Sequence, residues 1–175
     1  MQTDDPRKGA EVLEFTLVLL PLLAMVLVLL DTAWANYAKS TMQYAVRMAT
    51  RRGVTLTAQQ LDRGQCLTDV VKSTVQQNSF GILAGDSKLH LIKVNYFKPP
   101  KADSSDPVVD VSSQPDGNMP GNIMQVSVQG YSMLPLMPRL FGWNQSADKS
   151  PLAVSVYAAD RIEPSRNPPC IGTAP

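Results

Sequence analysis

Lys8-Gly9-Ala10-Glu11-Val12-Leu13-Glu14-Phe15 is the stretch whose reading decides the fold, because from Phe15 to Leu30 no charged side chain follows it. Glu14 is a lone carboxylate at the head of that apolar run, and Gly9, preceded by Arg7 and Lys8, stands five positions before it. The run is slightly short of the ~20 residues that cross a bilayer core. Trp34 and Tyr37 follow at the place of an interfacial aromatic belt, so that Glu14 to Tyr37 reaches a spanning length. Pro21 removes one backbone hydrogen bond inside the run and predicts a kink or a local bend. Asp31 stands near its outer end.

The helical pattern does not stop at the membrane. Trp34, Tyr37, Ala38, Thr41, Met42, Ala45, Met48 and Ala49 recur at three- and four-residue steps, while Lys39, Gln43, Arg47 and Arg51 fall on the other face. Arg51, Arg52 and Gly53 form a helix end, with cations in the last turn and glycine beyond it. A helix from about Val12 to Arg52 would be ~60 Å long. Only about half of it fits in lipid, so the rest must pack on a soluble domain or on neighbouring subunits.

Downstream, Thr57-Ala58-Gln59-Gln60 reads as a capping box that opens a second helix over 58–78, with Leu61, Cys66, Val70, Val71 and Val75 as its apolar stripe. The period then changes to two. Leu89–Tyr96, Asn122–Met133 and Leu152–Glu163 read as strands, the first with His90, Ile92, Val94 and Tyr96 on one face. Val108–Val111 adds a short edge strand inside the proline-rich loop Lys98–Gly121, and 134–141 reads as an apolar loop or short helical turn. The expected fold class is α+β. It has a long N-terminal transmembrane and amphipathic helix, a second helix, and an antiparallel sheet of three to four strands with one face buried under the amphipathic segment.

Composition closes several routes. The chain has 175 residues and a formal net charge of +1, which gives no support to nucleic-acid binding. His90 is the one histidine, and the two cysteines, Cys66 and Cys170, lie far apart without CxxC spacing, so neither a thioredoxin-like motif nor a multi-cysteine zinc site is expected. Asp103, Asp106, Asp110 and Asp116 do not follow EF-hand spacing, and no nucleophile elbow accompanies the serines. No catalytic residue, metal site or cofactor is expected, and the chain is read as a non-enzyme.

The chemistry concentrates at Glu14. A carboxylate at mid-membrane costs about 2.5–3.5 kcal/mol, less near an interface. It either marks the water boundary or takes a cationic partner. A cut after Gly9 would create one, the α-amino group of Ala10. A helix does not easily fold that amine back onto its own fifth residue, so the pair is expected between neighbouring subunits.

Gly9, four residues, Glu14 and the aromatic Phe15 match the prepilin-type processing pattern, in which a prepilin peptidase cuts after the glycine. More narrowly, Gly9–Phe15 with Leu17–Leu23 around Pro21 resembles the TadE-like family, the minor pilins or pseudopilins of tight-adherence (Flp, type IVc) pilus systems. The resemblance continues in Tyr44–Ala49, in Val126–Tyr131 and in Ala153–Glu163. Glu11, where the family more often has a small residue, and Asp31 depart from its pattern. The resemblance implies a leader at 1–9, a transmembrane helix at 10–35 and a periplasmic pilin-like head at 36–175, with helix 36–52 continuing the anchor. It implies a single-pass inner-membrane protein with a cytoplasmic N-terminus. It also implies as partners the prepilin peptidase, other pilin or minor pilin subunits, the pilus assembly platform and inner-membrane lipid. Gly9 and Ala10 would be the processing residues, and Glu14 and Phe15 would set subunit register.

A rival reading takes Arg7-Lys8, the apolar core and Ala33-Trp34-Ala35 as a secretory signal, cut after Ala35 to release a soluble binding protein. The amphipathic stripe runs through Ala35 without a break, which opposes it. Either reading sends the C-terminal part to an oxidising compartment, where Cys66 and Cys170 would either pair or stay as buried thiols. A pair closes a loop of about 100 residues, for which chain entropy predicts ~4.7 kcal/mol.

Overall fold

A computed structural model describes residues 6–61, 64–100, 107–133, 135–136, 152–164 and 169–172. The chain divides into two compact units, Met1–Asn36 with Ser132–Leu152, and Tyr37–Tyr131 with Ala153–Pro175.

Helix α1 spans Pro6–Thr55, 50 residues, or about 75 Å at the α-helical rise. It opens with proline, whose missing N–H costs nothing in a first turn, and it continues through Pro21. Its second half buries Ala38, Met42, Ala45, Val46, Ala49 and Val54, one face of a 3.6-residue period. Tyr37 and Met48, expected on that face, are instead exposed at its flank, and Val46 takes the inner place. Lys39, Arg47 and Arg51 are exposed. The expected end at Arg52 is also displaced. Gly53 lies inside the helix, and a Cβ there would stand 2.5 Å from Met124 Cε and 2.8 Å from Val71 Cγ2. It is a close-approach residue rather than a cap.

The expected second helix is divided. Ala58–Gln60 forms a single 3-10 turn, within which Thr57 N–H donates to Gln60 Oε1 at 3.1 Å. Gly64 then adopts φ +87°, and helix α2 begins only at Leu67 and runs to Asn78. Its buried side is Leu67, Thr68, Val70, Val71, Thr74 and Val75.

Strands β1 (Ile92–Lys98), β2 (Val109–Asp110), β3 (Ile123–Met133) and β4 (Leu152–Arg161) form one sheet in the order β2-β1-β3-β4. β1 is antiparallel to both neighbours. In its register with β3, Ile92 faces Val128, Val94 faces Val126 and Tyr96 faces Met124, all buried. That alternation of apolar and polar residues fixes the register, since a one-residue slip would turn every one of these side chains outward. His90 does not join the strand. It belongs to a 3-10 segment, Asp86–Leu91, and is exposed.

The buried face is covered by two helices rather than by the amphipathic segment alone. Gln43 Nε2 donates to Tyr157 O at 3.0 Å and Glu163 N–H to Val54 O at 3.1 Å, which ties α1 to β4 and to the residues after it. Thr68 Oγ1 and Tyr96 Oη lie 3.2 Å apart, which ties α2 to β1. At the β2 edge, Tyr96 N–H donates to Ser112 Oγ at 2.8 Å, and Ser112 N–H donates to Asp110 Oδ1 at 2.9 Å. The side-chain and backbone hydrogen bonds from Ser112 hold the Asp110 carboxyl below its ordinary pKa.

Candidate processing and assembly segment

Gly9 and Ala10 lie in the N-terminal turns of α1, with Glu14 and Phe15 one turn further on. Ala10 and Glu14 are four residues apart and therefore share a helix face. A cut at Gly9 would deliver an amine and a carboxylate to one stripe. Ala10, Glu14 and Phe15 are all exposed. So are Val12, Leu13, Leu17, Val18, Leu20, Leu22, Leu23, Met25 and Val26, a density of apolar side chains that water does not support. Among the described residues, α1 is the one helix long and apolar enough to cross a membrane. Two hydroxyls in this apolar half have backbone partners. Thr16 Oγ1 donates back to Val12 O at 2.8 Å, and Thr32 Oγ1 to Leu29 O at 2.9 Å, so neither hydroxyl is left bare.

In the sequence Asp31 is a departure from the family pattern. The structure gives it a partner: Leu136 N–H lies 3.0 Å from both Oδ1 and Oδ2. The available signal was a carboxylate at the end of an apolar run together with a second apolar stretch at 134–141, but nothing local couples the two. Apart from Pro135 and Leu136, that stretch lies outside the described residues, as do Asp103 and Asp106.

Residues 9–51 match the family model of TadE-like protein. The matched segment is thus the apolar half of α1 together with most of its buried stripe, and it ties the chain to tight-adherence pilus systems. Val126–Tyr131 and Ala153–Glu163, to which the sequence resemblance was extended, lie outside the matched residues. No curated protein and no solved structure matches the chain.

Away from the TadE-like segment, Cys66 and Cys170 are joined by a disulfide, with Cα atoms 4.8 Å apart. The tail also caps α2. Leu67 N–H donates to Cys170 O at 2.8 Å and Thr68 N–H to Ile171 O at 3.0 Å, which satisfies two of the orphan donors of a first helical turn. Asn118 Nδ2 donates to Pro169 O on the same tail. An open groove of about 520 Å³ lies between α1 and β4, lined by Gln43, Tyr44, Arg47, Met48, Arg51 and Tyr157 among others. Its lining holds no pairing of a nucleophile with a general base. Among the described residues no cluster of His, Cys, Asp and Glu is arranged to hold a metal ion.

Proposed function

We propose that this chain is a non-enzymatic minor pilin, or pseudopilin, of a tight-adherence (type IVc) pilus system. A prepilin peptidase would cut it after Gly9, and a single inner-membrane span would hold it with the N-terminus cytoplasmic and the head periplasmic. It would act by helix association with other pilin subunits and the assembly platform. In lipid such association depends on shape and polar contacts, because the hydrophobic effect offers no preference between lipid and protein. Glu14 would then fix the register by receiving the Ala10 amine of a neighbouring subunit.

The observation that carries this reading is the continuity of α1. One helix bears the Gly9–Phe15 motif at its head, an exposed apolar surface next, and a stripe buried against the sheet at its far end. The same helix holds the TadE-like match. It also passes through Ala33–Ala35 unbroken, which disfavours a signal-peptidase site there. The test is N-terminal sequencing of the protein extracted from membranes. Ala10 as first residue is expected. Asn36 would make the chain a released soluble protein, and Met1 would make it an unprocessed anchor.

A further inference from the structure

Within the unit that holds the N-terminal half of α1, Leu136 N–H contacts both oxygens of the Asp31 carboxylate, across 105 residues of sequence. The depth of Asp31 in a membrane follows from counting. From Glu14 to Asp31 the helix rises about 25 Å, while the hydrocarbon core of a bilayer is about 30 Å thick. With Glu14 at one boundary, Asp31 therefore stands at or just inside the other, and tilt would only bring it deeper. Trp34, in the next turn outward, is of the residue type that occupies that level.

A backbone N–H at 3.0 Å from this carboxylate must sit at the same depth. Leu136 is exposed there, next to Pro135, which has no N–H to leave unsatisfied in an apolar medium. We infer that Asp31 acts as a positioning residue that pins Pro135 and Leu136 into the outer boundary of the lipid bilayer beside the anchor, giving the protein a second point of membrane contact. The ligand is the lipid surface itself, at the level where headgroups meet acyl chains. The hydrogen bond resolves two difficulties together: the carboxylate gains a donor where water is scarce, and a peptide N–H at that depth gains an acceptor.

This inference rests on the membrane-spanning reading of α1, and the experiment separates the two. Single variants Leu136→Cys, Met25→Cys and Met48→Cys of the full chain are labelled with an environment-sensitive fluorophore. The native cysteines are paired, so the introduced thiol takes the label. The protein is reconstituted in phosphatidylethanolamine–phosphatidylglycerol vesicles carrying a spin label near the top of the acyl chain. The expected result is quenching and a blue-shifted emission at positions 25 and 136, and neither at 48, which lies about 25 Å beyond Asp31 along the helix. Adding Asp31→Ala should remove the effect at 136 while leaving 25 quenched, and Asp31→Asn, which keeps an acceptor, should restore it. Quenching at 25 without quenching at 136 overturns the inference and leaves the anchor standing. Absence of quenching at 25 overturns the membrane reading itself. Quenching at 136 that survives Asp31→Ala overturns the role of Asp31.

Discussion

Gly53 stands where Arg51 and Arg52 suggest a helix end, yet it is a point at which α1 lies close against Met124 and Val71. The sequence signal was sound as a local rule, since glycine after a pair of cations does end many helices. It failed because the glycine is selected here by space. Gly53→Val should destabilise the head by about 1–3 kcal/mol through overpacking, read as a lowered denaturation midpoint. Val71 Cγ2 cannot swing away as Met124 Cε can. Tyr96 is the other informative residue. It is 1% exposed, and burial pushes its phenol up to about 12, with the Thr68 hydrogen bond opposing and the Asp69 charge adding to the rise. A raised pKa means that the folded state holds the proton more tightly than the unfolded one. Its contribution to stability is therefore whole below about pH 10 and falls away as pH rises towards about 12. Tyr96→Phe should remove that alkaline loss, as a difference between the two stability–pH curves. At neutral pH it should cost about 1 kcal/mol for the lost bond to Thr68.

At the scale of elements, the disagreement lies between residues 58 and 66. The capping box is present, but it caps one 3-10 turn. The chain then breaks at Gly64 and restarts with Cys66 in extended conformation as the N-cap of α2. What sets that new start is the tail: the Cys170 and Ile171 carbonyls take the α2 donors that a side-chain cap would otherwise serve, and the disulfide fixes Cys170 beside Cys66. Paired substitution Cys66→Ser and Cys170→Ser should lower stability by about 2–5 kcal/mol. The loss should concentrate at α2, with faster amide exchange at Leu67 and Thr68 than in β3. Equal exchange at both places would show that the tail contributes nothing specific to that helix. The strands, in contrast, follow their sequence pattern closely. Ile92, Val94, Tyr96, Met124, Val126, Val128, Val154 and Val156 are all buried, because side-chain alternation is a property of the extended backbone itself.

For the molecule as a whole, the division of labour along α1 makes a separable prediction. Glu14→Ala should leave membrane insertion intact, since the apolar run is unchanged, and should abolish co-purification with partner pilin subunits. Unchanged co-purification would show that Glu14 only marks the water boundary. The sequence by itself determined that the chain has a long apolar helix able to span a membrane, an amphipathic continuation and an alternating antiparallel sheet. Each of these is written in periods of two or 3.6 residues, and neighbours in the chain suffice to read them. Only the tertiary structure decided that Gly53 is a contact, that α2 starts at Leu67 under a cap from the tail, and that Asp31 holds Leu136. Those outcomes join residues up to 105 positions apart. Such pairings are chosen by which surfaces meet when the core closes, and no local pattern carries that information.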